Sequence, residues 1–277
     1  MKGRFLVWLG WLVAACMPVE DPGEGFFMYP PGFQWRVRWV MDLSPAPGSS
    51  PGLPAYHSAV EFTVREIRRR PIGESGTEVW TQVDHSPPGE YSVWWVTDTA
   101  LIWVRGESVP FPWSPVGDSG YRYRIGGRTF TSVREVLRFL NRAVGGVGFG
   151  PLSPKDPQKT LRFPLTVGAE WVVFREPWLR VRRVVDVDTV TGPGNQEYWA
   201  WVVDTEDDLP NMDTLRDWLT NELWLHKLIR VTVEVFDEDG QYLGRVIVRE
   251  TYQLLAAGES GPLLMRRLDG GRNKPYF

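Results

Sequence analysis

The sequence predicts an all-β protein, mainly antiparallel, built as two related sandwich- or half-barrel-like modules with one or two short helices. Three observations predict it. Apolar and polar residues alternate with a period of two through most of the chain. Gly, Pro, Asn and Asp clusters punctuate those runs at short intervals. An opening of aromatic-Pro, Gly and Trp recurs ahead of two strand-rich stretches.

The first sixteen residues stand apart. Lys2 and Arg4 make a basic start, residues 5–15 carry no charge, and Ala14 and Ala15 precede Cys16. A transmembrane helix needs about 20 apolar residues, so this run is too short to span. Basic start, short apolar run and small residues describe a secretory signal peptide. Val13-Ala14-Ala15-Cys16 resembles the lipobox of bacterial lipoproteins. That resemblance implies acylation of Cys16 and removal of residues 1–15. An ordinary cleaved signal with an incidental cysteine, or a buried core helix, are the alternatives. Charge, length, small residues and cysteine agree in one register, which favours the lipobox. Each buried acyl CH₂ contributes about 0.8 kcal/mol, and two or three chains make an anchor effectively permanent. Residue 17 is Met. In the same group an Asp there resembles an inner-membrane retention signal, so its absence implies the outer membrane where one exists. Residues 16–27 then form the lipidated cysteine and a polar tether.

Cys16 is the sole cysteine. The mature body therefore has no disulfide, thiolate metal site or cysteine nucleophile after it. Loss of Lys2 and Arg4 takes the formal net charge from −3 to −5. No basic run suggests nucleic acid. Hydrophobic residues make up 43% of the chain, ample for a packed core.

The first module is expected over 28–144. In WRVRWVM, Trp35, Val37, Trp39 and Met41 share one face, and Arg36 and Arg38 the other. Val60, Phe62 and Val64 alternate with Glu61, Thr63 and Arg65 in the same way. GTEVWTQV and YSVWWVTDTALIWVR add strands, the second a hairpin about Thr97-Asp98-Thr99. Ser132 with Glu135 forms a capping-box pattern, and Val133, Val136, Leu137, Leu140 and Val144 follow at helical spacing. Residues 145–160, rich in Gly and Pro, read as a linker.

The second module is expected over 161–256. WLRVRRVVDVDTV, EYWAWVV, LIRVTVEVF and YLGRVIVRETYQLL continue the alternation, and Asp239-Gly240 marks a hairpin turn. Leu215, Trp218 and Leu219 at helical spacing predict a short helix starting near Asp213 or Thr214. Residues 257–277 read as a weakly structured tail.

The repeated opening pairs Tyr29, Pro30, Gly32 and Trp35 with Phe163, Pro164, Gly168 and Trp171. The spacing from Pro to Gly differs between the copies. A weaker third echo, with its Trp replaced, lies in 111–124. Pro stiffens the approach, Gly permits a tight turn and Trp plugs the end of a sheet. With Leu165, the second copy resembles a largely uncharacterised group of bacterial lipoproteins whose β modules open on Phe-Pro-Leu-x-x-Gly-x-x-Trp. The resemblance covers most of 160–255 and, more weakly, 28–125. Its motifs are structural, and it implies no catalytic residues.

Few residues suggest chemistry. Gly48-Ser49-Ser50-Pro51-Gly52 spells a G-x-S-x-G, but Pro51 lacks the N–H of a nucleophile elbow and the context is a Pro-rich loop. Gly146, Gly148 and Gly150 follow a helix, not a strand, and fit no dinucleotide fingerprint. His57, His85 and His226 have no partner at metal-ligand spacing. Asp204, Glu206, Asp207 and Asp208 form a weak Ca²⁺ candidate without the EF-hand pattern; a solvated acidic loop is the plainer reading. Trp94 and Trp95 are adjacent, so a strand points them to opposite faces, and the outward one is a candidate for stacking on a ligand.

The expected role follows. The chain reads as a lipid-anchored cell-envelope protein, structural or protein-binding and without enzymatic activity. No cofactor and no nucleic acid is expected. Its partners are the membrane, through the anchor, and envelope proteins or glycans. The alternatives are a glycan- or lipid-binding lipoprotein gripping its ligand with exposed aromatics and, third, an envelope hydrolase using paired carboxylates.

Overall fold

The structure is a computed structural model and describes residues 32–73, 76–84, 91–106, 120–136, 139, 158–175, 179–208 and 212–259. Cys16, Tyr29, Pro30, His85 and the glycines of 145–150 lie outside the described residues.

Fourteen strands make one sheet. They are β1 (Phe33–Pro45), β2 (Tyr56–Ile72), β3 (Gly76–Asp84), β4 (Tyr91–Thr97), β5 (Ala100–Gly106), β6 (Tyr121–Ile125), β7 (Arg128–Phe130), β8 (Gln158–Arg162), β9 (Glu170–Phe174), β10 (Arg180–Thr191), β11 (Glu197–Asp207), β12 (Met212–Leu219), β13 (Trp224–Asp237) and β14 (Tyr242–Glu259). The all-β, antiparallel class read from the sequence is the class observed. The order is β8-β5-β4-β3-β2-β1-β14-β13-β12-β11-β10-β9, with β6 paired to the end of β13 and β7 to β6. Two meanders, β1 to β5 and β9 to β14, thus share a single sheet. They join through one ladder, β1 on β14, and β8 pairs with the outer edge of β5.

The sheet curls until its two ends approach, so it is nearly a closed barrel. β8 and β9 are those ends, and they are consecutive in the chain. Side chains bridge the seam between them. The Trp171 indole N–H donates to the Lys159 carbonyl at 3.2 Å, and Arg182 Nη1 donates to the Thr160 carbonyl at 2.8 Å. Backbone groups at a sheet edge need partners, and these two bonds satisfy carbonyls at the point of closest approach.

Alternation decides what faces inward. Trp39, Met41 and Leu43 of β1 pack with Leu215, Ile229, Val231, Val233, Val246 and Val248 in one apolar cluster. A helical turn at 133–136 adds Val133 and Val136, with Phe139 beyond it. Ser132 Oγ accepts from the Glu135 N–H at 3.2 Å, as the capping pattern requires. The Glu135 carboxylate reaches the Thr131 N–H at 2.8 Å instead of the Ser132 N–H. A second cluster joins Val79, Val96, Leu101, Leu161, Phe163, Leu165 and Trp171 to Val184, Trp201, Val203 and Leu219 across the barrel. At one end the distal part of the β10–β11 hairpin extends beyond β12. Its Tyr198 and Ala200 pack with Leu223, Leu225 and Leu254, closing that end. The outer face of β1 and β2 carries exposed Arg36, Arg38 and Glu61. Among the described residues no helix is long and apolar enough to cross a membrane.

Four sequence expectations need correction. No helix starts at Asp213 or Thr214: the segment is β12. Leu215, Asp217 and Leu219 are its buried row, and Trp218 lies on the opposite face. The apolar spacing that suggested a helix arises because a charged residue occupies the middle of the inward row. Residues 158–160, read as linker, begin β8, and residues 257–259, read as tail, end β14. Asp204, Glu206 and Asp207 lie in β11 rather than in a loop.

Candidate functional site

The barrel interior holds a row of charged side chains. Register places them together. Val184 pairs with Val203, Val203 with Asp217, Asp217 with Lys227, Lys227 with Tyr252, and Tyr252 with Trp39. One step along, Arg182 pairs with Thr205, Leu215 with Ile229, Ile229 with Glu250, and Glu250 with Met41. Side chains on a shared sheet face repeat every second residue, so Arg180, Arg182, Asp217, Lys227 and Glu250 all project into the interior.

Arg182 is 5% exposed and Asp217 is fully buried. Arg182 Nη2 donates to Asp217 Oδ2, and Trp224 donates its indole N–H to Asp217 Oδ1 at 2.7 Å. Arg180 forms the parallel pair with Asp207 through Nε, at 2.8 Å, and Nη2. Burial lowers the Arg182 pKa to about 9, and the neighbouring Arg180 charge pushes the same way. Glu250 accepts from Trp39 Nε1 at 3.1 Å and from Tyr252 Oη at 3.0 Å. Burial still raises its carboxyl above the usual range, because those bonds and the charge of Lys227 only partly offset desolvation. Lys227 is partly buried, with Nζ 5.6 Å from the centroid of the Trp224 ring. Burial first, then Arg182 and Arg180, lower its pKa to about 7. The Arg182 guanidinium lies at the same distance, 5.6 Å, from that indole. Trp224 therefore contacts two cations from two strands.

Two polar atoms in this array are buried without a hydrogen-bond partner among the described residues: Arg182 Nε and Thr205 Oγ1. Their residues are register partners on β10 and β11.

A second polar cluster faces outward on β3 and β4. The Glu78 carboxylate accepts from Arg70 Nη2 at 3.1 Å, Trp80 Nε1 at 2.7 Å and Trp95 Nε1 at 3.2 Å. Burial pushes its pKa up, but the three hydrogen bonds and the Arg70 charge outweigh it and hold the carboxyl at about 2. A carboxylate with a lowered pKa stabilises the fold above its unfolded value and loses that contribution as pH falls through the folded value. We expect Glu78→Gln to lower stability at pH 7 by on the order of 2 kcal/mol, with Arg70 half-exposed and therefore screened. The difference from wild type, read as urea midpoints, should shrink between pH 4.5 and about 2.

The residues singled out in the sequence fall into place around these clusters. Trp94 pairs with Val79 and packs in the inner cluster, whereas Trp95 pairs with Glu78 on the outer face. Gly32 and Gly168 both have positive φ, 82° and 88°, and each precedes the strand that carries Trp35 or Trp171. The Phe163-Pro164 peptide is cis. Trp171 is buried at the seam, and Trp35 packs at the end closed by the hairpin. Ser49 Oγ donates to the Arg245 carbonyl and accepts the Arg245 N–H, both at 2.9 Å, and Ser50 N–H donates to Leu243 O. These bonds dock the G-x-S-x-G loop on β14. His57 Nδ1 lies 2.6 Å from Asp42 Oδ1 on the surface, and His226 stacks on Trp218 at 4.8 Å.

The acidic residues offered for Ca²⁺ are distributed by the strand. Asp204 binds Arg216 through both oxygens at 2.5 and 2.7 Å, Glu206 lies 3.6 Å from Arg183, and Asp207 pairs with Arg180. Among the described residues no group of three His, Cys, Asp or Glu side chains converges to hold a metal ion. Asp213, in the same stretch, accepts from Thr232 Oγ1 at 2.6 Å.

Sequence reasoning missed the interior array, although a signal for it exists. Within alternating runs, a charge sits in the apolar row. Lys227 stands in line with Leu225, Ile229 and Val231, Glu250 with Val246 and Val248, and Asp217 with Leu215 and Leu219.

No family model matches this chain, and no curated protein matches it. Among solved structures, the chain is similar to a Bacteroides fragilis protein described as having a YmcC-like fold and inferred to be exported. The two are 11% identical, the match covers 86% of this chain and 100% of the other, and the TM-score is 0.31. At that level of superposition the likeness bears on neither the fold nor the role of this chain.

Proposed function

We propose that this chain is an exported, lipid-anchored protein of the cell envelope, held in the outer membrane where one exists, with a non-enzymatic structural or protein-binding role. The observation that carries the reading is the N-terminal register: Lys2 and Arg4, an uncharged run over 5–15, two alanines and then Cys16. The described body is consistent with work at a membrane surface in water. The outer face of β1 and β2 carries exposed Arg36, Arg38 and Glu61. Asp204, Asp207 and Asp217 are each paired with an arginine, which supports a structural use of these carboxylates.

Labelling with a radioactive fatty acid in a bacterial host tests the anchor. The wild-type chain should take up label and sediment with membranes. Cys16→Ser should lose essentially all label and move to the soluble fraction. Label and membrane association that both survive the substitution would exclude acylation at Cys16 as the anchor.

A further inference from the structure

We propose that the barrel interior contains an oxyanion-binding site, for a carboxylate or phosphate group, formed by Arg182 Nε, Thr205 Oγ1 and Lys227 Nζ. It goes beyond the envelope role and stands whether or not Cys16 is acylated.

The geometry starts from the orphaned atoms. Arg182 donates from Nη1 to Thr160 and from Nη2 to Asp217, whereas its Nε has no partner among the described residues. Thr205, its register partner, leaves a buried hydroxyl unbonded on the same inner face. Buried polar groups without partners are rare in native proteins and costly. Two of them on paired residues, both able to donate, match one oxygen that accepts twice.

Charge selects an anion. Arg180 and Arg182 are each balanced by an aspartate, Asp207 and Asp217. Lys227 is the third interior cation, and Glu250, whose charge acts on it, is shared with Trp39 and Tyr252 and has its pKa raised by burial. Lys227, when protonated, adds a third positive charge to this interior. Arg182 Cζ and Lys227 Nζ each lie 5.6 Å from the centroid of the Trp224 ring, and the Arg182 charge acts on Lys227. An anion there would answer both orphans and face the Lys227 ammonium. Val184 and Val203, one step along the same face, would meet an apolar body behind the charged head.

The test uses the full chain in a neutral, non-ionic detergent, titrated with inorganic phosphate, with octanoate, and with octanol as an uncharged control. Binding is read by calorimetry and by tryptophan fluorescence. Saturable binding of octanoate but not octanol is expected, and phosphate binding of equal strength would assign the site to a free anion rather than to an acyl head group. Thr205→Val should weaken binding about fivefold, the worth of one hydrogen bond, while leaving the urea midpoint unchanged or raised. Lys227→Met should weaken it at least tenfold. Absence of saturable binding by either anion, or affinities unchanged in both variants, would overturn the site.

Discussion

Arg182→Met should destabilise the fold by about 3–5 kcal/mol, because it leaves the Asp217 carboxylate buried without its counter-charge. Asp217 is fully buried, and its remaining bond is from the Trp224 indole. The substitution also removes the side-chain bond from Arg182 to the Thr160 carbonyl at the seam. The companion variant is Arg182→Met with Asp217→Leu. A buried ion pair replaced whole by apolar side chains is often neutral or stabilising, so the double variant should recover more than half of the loss. The Trp224 N–H left behind limits that recovery by about 1 kcal/mol. Urea unfolding of the four chains closes the cycle. A double variant as unstable as the single would show that the loss comes from packing around Arg182 and not from an unpaired charge.

Trp171→Ala is expected to cost about 3–5 kcal/mol, the usual range for emptying a large aromatic site. Trp171 is buried among Leu161, Phe163, Leu165 and Leu219, and its N–H donates across the seam to the Lys159 carbonyl. Trp171→Phe keeps most of the volume and loses the bond, so it should cost about 1 kcal/mol from that bond plus a smaller packing loss. The two variants separate filling from bridging. Hydrogen exchange gives the local readout: amides of β8 and β9 should exchange faster in both, and those of β13 and β14 should change only in Trp171→Ala, through global stability. Equal protection of β8 and β9 in wild type and Trp171→Phe would show that the seam does not depend on the indole bond.

Much of the fold is legible in the sequence because alternation is a local property. Trp35, Val37, Trp39 and Met41 face inward as their spacing requires, and Asp239-Gly240 turns β13 into β14, with Gly240 at a positive φ of 85°. The turn at Thr97 is equally local: its hydroxyl accepts from the N–H groups of Thr99 and Ala100. What escapes is the outcome of distant pairing. Nothing in β8 or β9 alone says that they end a sheet that curls back on itself. The rule that charges face water fails at Arg182, Asp217, Lys227 and Glu250, since each is sustained by a partner on another strand or by an aromatic neighbour. The same failure turned β12 into an expected helix. With Asp217 excluded from the apolar row, Leu215, Trp218 and Leu219 fit helical spacing better than strand spacing.

The pairing of β1 with β14 sets Phe33 opposite Glu259. The first and last strands of the sheet therefore begin and end side by side, one strand spacing of about 4.8 Å apart. The segments 1–31 and 260–277 attach to the body at one corner, beside the end that the β10–β11 hairpin closes. The chain is thus a ring in all but one covalent link. A short connector between Phe33 and Glu259, with new termini cut at the exposed Val167 between β8 and β9, would give a circular permutant that interrupts no ladder. In that form a segment fused to a new terminus would leave the barrel at its seam instead of at the β1–β14 corner.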